Sequence, residues 1–328
     1  VAYEALNDLG ASGDDLIIVL NDNKMSISEN VGAMSRYLAK LRMSPKYANF
    51  KGIIKKFCYA MPFIGEKLVD IADNAKTGLK SLVIGNSLFE SMGLAYYGPF
   101  DGHDIKNLID VFRSAKMRSR PVILHVVTEK GRGYKFAEDN PRGFHGVSPV
   151  RSSHTMNFAS VFGKKLCEIA AKNEKIIAVT AAMTDGVGLT EFSEKFPNRF
   201  FDAGIAEQHA VDLAAGMALG GLKPYFAVYS SFLQRAVDQI VIDVCIDKLP
   251  VTFLIDHSGF VEGDGITHQG LFDLSMLGGA DGLVIASPMD GEHLKNLLDF
   301  SVKADFPLAI RYPKSYVCEI DGVDKTVT

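Results

Sequence analysis

A glutamate stands where a helix is expected to begin, in the segment 201–221 (FDAGIAEQHAVDLAAGMALGG). The residues around Glu207 are small or apolar, among them Ile205 and Ala210. An apolar setting favours the neutral form of a carboxylate, so Glu207 could hold or donate a proton near neutral pH. The alternative is a first-turn glutamate that only complements the helix dipole.

A glycine-rich loop with acidic and imidazole side chains follows the apolar run VTFLID, in the segment 256–270 (DHSGFVEGDGITHQG). Glycines let a backbone approach a ligand closely, and loops that follow strands often carry function. Asp264 and His268 could handle protons in this loop. The loop is therefore a second candidate site.

Two polar segments follow apolar runs in the first half of the chain. The run in 16–20 leads into Asn21-Asp22-Asn23, whose amide and backbone oxygens are of the kind that Mg²⁺ prefers. After the run 122–127, the sequence Lys130-Gly-Arg-Gly could cradle a diphosphate. An ordinary Asx turn and a basic surface turn are the respective alternatives.

A fifth candidate is the segment 229–239 (YSSFLQRAVDQ), in which Tyr229 ends an apolar run. Phe232 and Arg235 have i, i+3 spacing, which places them on one side of a helix. An aromatic ring there could stack on a cofactor ring, whereas packing in the core is the alternative.

Short runs rich in Val and Ile alternate with longer amphipathic stretches and must position these side chains. Apolar runs bounded by Asp, Asn, Gly or Pro are typical of parallel strands covered on both faces. The alternation predicts an α/β, doubly wound architecture. The predicted strands are Leu16–Leu20, Val122–Val127, Lys175–Thr180, Tyr225–Tyr229, Val251–Asp256, Leu283–Ala286 and Leu308–Tyr312. The predicted helices are Ile105–Met117, Phe158–Asn173, Glu207–Leu219, Ser231–Ile246 and Glu292–Lys303.

The polar segment Gly146–His154 predicts a boundary between two domains, 1–148 and 153–328. Residues 32–80 read as a basic, mostly helical insertion in the first domain. We interpret this insertion as a solvated helical excursion rather than a membrane-surface element.

Composition excludes several classes of protein. A net charge of −4 over 328 residues gives no electrostatic footprint for nucleic acid. No uncharged apolar run reaches the roughly 18 residues that would span a bilayer. The four cysteines form no CxxC pair, which favours reduced core thiols and a cytoplasmic protein. The chain starts at Val1 within a predicted helix that Gly10 would cap, so we expect it to be part of a longer protein.

Together, the motifs resemble those of the 1-deoxy-D-xylulose-5-phosphate synthase family, thiamine diphosphate enzymes related to transketolase. The resemblance covers nearly the whole chain and runs in order through NDNKMSISEN, GPFDGHD, EKGRGY, AGIAEQHAV, YSSFLQRAVDQ, DGITHQG and RYPK. It implies two transketolase-like, thiamine diphosphate-binding domains, each a mostly parallel sheet covered by helices. It also implies a homodimer that condenses pyruvate with D-glyceraldehyde 3-phosphate and releases CO₂.

The resemblance assigns cofactor roles to individual residues. The Asn23 side chain and the Met25 carbonyl would bind Mg²⁺, and Lys130 would contact the diphosphate. Glu207 would hydrogen-bond the pyrimidine ring nitrogen, and Phe232 would stack on that ring. The first domain, 1–148, would thus be a partial diphosphate and Mg²⁺ domain, and 153–328 a pyrimidine domain.

The resemblance also assigns residues to the substrate end of the site. Those that would bind substrate are Tyr229, Arg235, His257 and Arg311. Those that would act in catalysis beside Glu207 are Asp264, His268 and His145.

Two departures from the family's pattern stand out. The family's Gly-Asp-Gly, with its Mg²⁺-binding Asp, would fall before Val1, and the family's C-terminal domain would follow this chain. In addition, His257 and Lys314 stand where the family usually has Arg. A neutral His and a Lys are weaker phosphate anchors than Arg, so we expect weaker binding of the phosphorylated acceptor, or a shifted acceptor preference.

Three interpretations of the missing segments stay open: a longer protein, half of a split enzyme, or a truncated paralogue. The alternative functions are a transketolase, a pyruvate dehydrogenase first component, or a non-catalytic paralogue that binds a partner. We expect the protein to bind neither nucleic acid nor a membrane.

Overall fold

The computed structural model describes residues 2–23, 25, 33–43, 88–141, 143–144 and 156–327. These residues separate into two compact units. The described residues up to 144 belong to the first unit, and residues 156–327 belong to the second. Most of the predicted insertion 32–80 lies outside the described residues, apart from one helix at its beginning.

The described part of the first unit holds a three-stranded parallel sheet in the order β1-β3-β2. Asp22 and Asp101 both pair with Val127, so the three strands end at one edge. The strands are β1 (Ile17–Asp22), β2 (Ala95–Asp101) and β3 (Val122–Val127). The helices are α1 (Ala2–Ser12), α2 (Ala33–Met43), α3 (Leu88–Ser91), α4 (Ile105–Lys116) and α5 (Lys135–Asp139).

Helix α1 does not end at Gly10, contrary to the prediction. The helix continues to Ser12, and Gly13 follows it with a φ of +70°. Gly10 serves packing instead, because a Cβ built on it would lie 2.0 Å from the Met92 carbonyl oxygen. The residue is small because another backbone passes close to it.

The second unit contains a six-stranded parallel sheet in the order β5-β4-β6-β7-β9-β8. Strands β4 and β7 are buried along their whole length, as expected for a sheet flanked by helices. The strands are β4 (Ile176–Thr180), β5 (Phe200–Asp202), β6 (Lys223–Tyr229), β7 (Thr252–Asp256), β8 (Val284–Ala286) and β9 (Leu308–Arg311). The predicted α/β class with parallel sheets is confirmed.

The helices of this unit are mostly regular. They are α6 (Phe158–Lys172), α7 (Thr190–Lys195), α8 (Glu207–Leu219), α9 (Ser230–Leu233), α10 (Val237–Gln239), α11 (Asp273–Leu277) and α12 (Gly291–Ser301). Short 3₁₀ turns cover Pro197–Arg199, Gln234–Ala236 and Ile266–His268, and a π-helix covers Ile240–Cys245. The single helix predicted for 231–246 is therefore wrong, because this stretch changes its helical type three times. Such irregularity is frequent near functional sites.

The cysteines are only partly as predicted. Cys167 and Cys245 are buried and free, and burial raises the pKa of the Cys167 thiol to about 11. Cys318 is free but exposed, so it is not a core thiol. Cys58 lies outside the described residues. Within the described ranges, no helix is both long and apolar enough to cross a bilayer.

Candidate functional site

The carboxyl edge of the second unit's sheet gathers most of the predicted site residues. Strands β4, β6, β7 and β9 are neighbours and parallel, so the segments that follow them emerge at the same edge. Tyr229 ends β6, His257 follows β7 and Arg311 ends β9. Glu207 begins α8 after β5.

Glu207 is buried and paired with an arginine. Its side chain is 4% exposed, and Arg235 Nη1 donates a hydrogen bond to its Oε2. Arg235 is itself 39% exposed. Sequence reasoning placed Glu207 at the cofactor and Arg235 at the substrate, and the structure brings the two side chains into direct contact.

Asp202, which sequence reasoning missed, ties together the loops that precede Glu207. Its Oδ1 accepts hydrogen bonds from the backbone N–H groups of Ala182 (2.7 Å) and Gly204 (2.9 Å). Its Oδ2 accepts one from the Thr184 hydroxyl at 3.2 Å. Ala182 has a φ of +59°, a strained conformation for alanine that this carboxylate helps to hold. An Asp at a strand end before Ala-Gly was the available signal.

Four rings form a ring cluster at this edge: Tyr229, Phe232, His257 and His268. Tyr229 lies between His257, at a centroid distance of 3.7 Å, and Phe232, at 5.9 Å, both nearly parallel to it. His268 meets Phe232 edge-on at 5.4 Å. A Cβ on Gly186 would lie 2.3 Å from the Tyr229 hydroxyl, so the β4 loop needs a glycine there. Phe232 thus lies within the site rather than only in the core.

Asp264 is held by a lysine that comes from the segment after β9. Lys314 Nζ donates to Asp264 Oδ1 at 2.8 Å, and His257 Nε2 lies 3.7 Å from Oδ2. Burial raises the pKa of Asp264, but the hydrogen bond and charge of Lys314, and the nearby His257 and His268, bring that pKa below its ordinary 3.8. The carboxylate is therefore ionised at neutral pH and acts as a hydrogen-bond acceptor.

His257 is 5% exposed and has a φ of +58°. Its backbone N–H donates to Asp256 Oδ1 at 2.6 Å, and its Nδ1 lies 3.0 Å from the same oxygen. Histidine tolerates the left-handed region better than most side chains do. The ring is therefore fixed between a carboxylate on each nitrogen and the face of Tyr229.

Arg311 forms a bidentate pair with a buried aspartate that sequence reasoning missed. Its Nε donates to Asp273 Oδ2 at 2.9 Å and its Nη2 to Oδ1 at 3.2 Å. The Ser258 hydroxyl donates to Asp273 Oδ2 at 3.0 Å. This bidentate geometry fixes the guanidinium plane beside the glycine-rich loop.

The carboxyl edge of the first unit carries the predicted Mg²⁺ and diphosphate residues. Asn23 Oδ1 accepts a hydrogen bond from the Met25 backbone N–H at 3.0 Å, which is the Asx turn of the alternative interpretation. The Thr128 hydroxyl donates to Asn21 Oδ1 at 2.8 Å, and Lys130 follows two residues later. Asn23 and Lys130 therefore follow neighbouring strands of one sheet.

The described part of the first unit offers two predicted oxygen ligands of the kind that Mg²⁺ prefers, which is fewer than the ion needs. An amide oxygen on Asn23 and a carbonyl oxygen on Met25 are hard ligands of the preferred kind. Among the described residues, no group of three His, Cys, Asp or Glu side chains could hold a metal ion. His145, the remaining catalytic prediction, lies outside the described residues.

A buried relay of three side chains crosses the first unit's sheet and was not predicted. The Tyr96 hydroxyl lies 2.6 Å from His125 Nδ1, and His125 Nε2 lies 3.0 Å from Asp22 Oδ2. All three side chains are buried. The relay fixes Asp22 directly beside Asn23.

The second unit's edge fits an aminopyrimidine ring. The hydroxyls of Ser230 and Ser231 are buried, and neither has a hydrogen-bond partner in the part of the chain that the structure describes. They directly precede Phe232 in sequence, and the buried Glu207 carboxylate lies at the same edge. Unsatisfied polar atoms beside an aromatic ring and a carboxylate suit a ligand that has both a flat ring and hydrogen-bonding groups.

Comparison with known proteins identifies the family. The sequence model described as "Transketolase, pyrimidine binding domain" matches residues 154–319, and that described as "1-deoxy-D-xylulose-5-phosphate synthase" matches residues 1–128. A solved transketolase from Campylobacter jejuni has 16% identity and a TM-score of 0.46, with 96% of this chain and 54% of that chain covered.

Two curated relatives are named 1-deoxy-D-xylulose-5-phosphate synthase. That of Clostridium tetani is 50% identical over 325 residues, covering 96% of this chain and 52% of that protein. That of Clostridium kluyveri is 48% identical over 321 residues, covering 96% of this chain and 51% of that protein. The chain thus spans about half the length of the curated relatives it matches. On these matches, the chain belongs to the 1-deoxy-D-xylulose-5-phosphate synthase family of transketolase-related proteins.

Proposed function

We propose that this chain carries much of the catalytic centre of a thiamine diphosphate-dependent synthase. The reaction is the decarboxylative condensation of pyruvate with D-glyceraldehyde 3-phosphate to 1-deoxy-D-xylulose 5-phosphate and CO₂. The observation that supports it most is the buried Glu207 carboxylate, which shares one sheet edge with the ring cluster and Asp264.

In this reaction, residues of both units would bind and orient the cofactor. Bound thiamine diphosphate would supply the carbon nucleophile and the electron sink for decarboxylation. Glu207 would hold a proton at the pyrimidine ring nitrogen, and Phe232 would pack against the ring. In the first unit, Lys130 would bind the diphosphate, and Asn23 and Met25 would bind Mg²⁺.

The substrate end would recognise anions, since pyruvate carries a carboxylate and the acceptor a phosphate. The cationic side chains at this edge are Arg235, Arg311 and Lys314, and each is paired with a carboxylate. A substrate anion would therefore have to compete with these carboxylates or share the cation. His257 and Tyr229 would line the same end, and Asp264, His268 and His145 would orient the substrate or move protons.

Three finer points belong to the proposal. The proposal that the protein binds Mg²⁺ is supported by the oxygen donors of Asn23 and Met25. A homodimer is supported by Ile242, in the π-helix, and Ile246, directly after it, which are 51% and 65% exposed. A cytoplasmic location is supported by the bacterial relatives.

The test is an assay of this protein as it occurs naturally, supplied with thiamine diphosphate and Mg²⁺. We expect pyruvate and D-glyceraldehyde 3-phosphate to give CO₂ and the five-carbon ketose phosphate. Glu191→Gln, on an exposed helix, is the matched control for Glu207→Gln. Activity with a ketose donor instead of pyruvate would identify a transketolase, and failure to bind the cofactor would favour a non-catalytic paralogue.

A further inference from the structure

The pair between Glu207 and Arg235 is unevenly buried. The glutamate side chain is 4% exposed and the arginine side chain 39%. Within the described residues, Arg235 is the side chain that hydrogen-bonds Glu207, and no second donor is present. The pair therefore places the charge of a buried carboxylate against a cation that can still reach solvent.

The irregular helical stretch after β6 places Arg235 in this position. Arg235 lies in the 3₁₀ turn Gln234–Ala236, which packs against α8. Ala236 leaves helical geometry, with a φ of −120°, before α10 begins. The i, i+3 spacing of Phe232 and Arg235 in the sequence predicts that the two lie on one side of an α-helix. Because Arg235 lies in a 3₁₀ turn instead, that spacing does not predict which side chain Arg235 contacts.

A buried carboxylate needs a partner for its charge. When the partner is removed, burial favours the neutral acid, and the group takes up a proton. Glu207 has two carboxyl oxygens with which a pyrimidine ring nitrogen could interact. One of them, Oε2, already accepts a hydrogen bond from Arg235. Arg235, which donates to the ionised carboxylate, and the neutral ring nitrogen, which can only accept from a protonated carboxyl group, thus compete for one side chain.

We propose that Arg235 is a positioning residue for Glu207: it holds the carboxylate ionised until the cofactor's pyrimidine nitrogen takes its place. The inference rests on the proposed function. The proton balance is simple, because Glu207 leaves the pair as an anion and the pyrimidine nitrogen is neutral in water. The hydrogen bond between them therefore requires one proton from solution.

The displaced guanidinium then becomes available to a substrate anion. Its partial exposure in the pair means that it can turn outward without crossing the core. This reconciles the sequence-based role of Arg235 at the substrate end with its contact to Glu207. Cofactor binding would thus prepare the substrate subsite.

The first arm of the test is infrared spectroscopy of the cofactor-free chain, which reports protonated carboxyl groups. Arg235→Met is expected to gain one carboxylic acid band relative to the unmodified chain, and the double variant with Glu207→Gln is expected to lose it. Lys195→Met, which breaks an exposed pair with Glu191, is the matched control and should gain none. A folded Arg235→Met without the new band overturns the proposal.

The second arm needs no variant, so it stands if Arg235→Met does not fold. Calorimetry of thiamine diphosphate binding in two buffers of different ionisation enthalpy should show uptake of about one proton per cofactor. Zero uptake overturns the proposal. Where Arg235→Met folds, its uptake should fall towards zero and its affinity should rise about two- to fivefold, since a half-exposed pair no longer has to break.

The two arms separate this inference from the proposed function. If the unmodified protein binds no thiamine diphosphate, the proposed function fails, and with it the exchange of partners. The infrared bands still decide whether Arg235 is what keeps Glu207 ionised.

Discussion

The two sheet edges of this chain are built from the same architecture and hold charge differently. In the first unit, the described segments that follow the strands carry amides and hydroxyls, such as those of Asn23 and Thr128, beside the exposed Glu129–Arg132 pair. The buried Tyr96–His125–Asp22 relay reaches this edge through Asp22. In the second unit, three carboxylates at the edge each hold a cation. Parallel strands thus place a candidate site at each edge, but the side chains that follow the strands decide which charges it holds and how deeply the charged pairs are buried.

The largest effect should come from removing the buried carboxylate of the second unit. Glu207→Gln keeps the shape but cannot exchange a proton, so we expect turnover to fall about 10²- to 10⁴-fold. The half-exposed Arg235 that it leaves behind can be hydrated, so the melting temperature should change little. Steady-state kinetics and calorimetry check this. Equal losses in Glu207→Gln and Glu191→Gln would contradict it.

The next effect concerns the buried relay of the first unit. Tyr96→Phe removes the hydroxyl at His125 Nδ1, and we expect a loss of about 1–3 kcal/mol in the free energy of unfolding. Tyr225→Phe is the matched variant in the second unit, where the hydroxyl lies 2.7 Å from Ser301 Oγ. Its cost should be smaller, because Ser301 still donates to the Leu298 carbonyl. Urea unfolding measures both, and the reverse order would refute the contrast.

A smaller effect tests the Lys314–Asp264 pair. The pKa of Asp264 lies below its ordinary 3.8 in the folded chain, so the pair stabilises the fold above about pH 4. That contribution is lost as the pH falls through the folded-state pKa. Lys314→Met should therefore lower stability by about 1 kcal/mol at pH 7 and by less in acid. Melting temperatures from pH 3 to pH 7 check this, and a constant difference would contradict it.

The smallest effect concerns acceptor binding at His257. His257→Arg restores a permanent charge at the residue between Asp256 and Asp264. We expect the KM for D-glyceraldehyde 3-phosphate to fall about two- to fivefold, with KM for pyruvate unchanged. Arginine at a φ of +58° strains the backbone, so the melting temperature should be recorded alongside. An unchanged acceptor KM in a folded variant would refute the idea.

Elements with strong patterns could be predicted from the sequence, and weakly patterned ones could not. The strand at Val122–Val127 and the helix at Glu207–Leu219 are confirmed at both ends, because the strand is apolar apart from His125 and the helix buries residues at helical spacing. Strand β2 was missed because Gly98 and Pro99 lie within it, and β5 because three residues carry no period. Hydrophobic periodicity therefore predicts a strand or helix only where that element is long enough and regular enough to show a repeat.

Contacts between elements were beyond the reach of the sequence. Glu207 and Arg235 were both identified as site residues, yet their pairing depends on a 3₁₀ turn that no spacing rule describes. Asp273 was missed because nothing in its neighbourhood indicates that Arg311, 38 residues later, will bind it. Strand order, which the sequence leaves open, decides which loops meet.

Asp202 has a consequence for how this chain can change length. Its carboxylate binds backbone groups on both sides of the excursion that runs from Ala182 to Gly204. An insertion at the exposed residues 197–198, away from the two bonded ends and from the buried Val187, Leu189 and Phe192, leaves both hydrogen bonds intact. An insertion between Asp202 and Glu207 instead shifts the first turn of α8 by a fraction of a helical turn. Length variation should therefore be tolerated best at residues 197–198 and strongly selected against in 202–207.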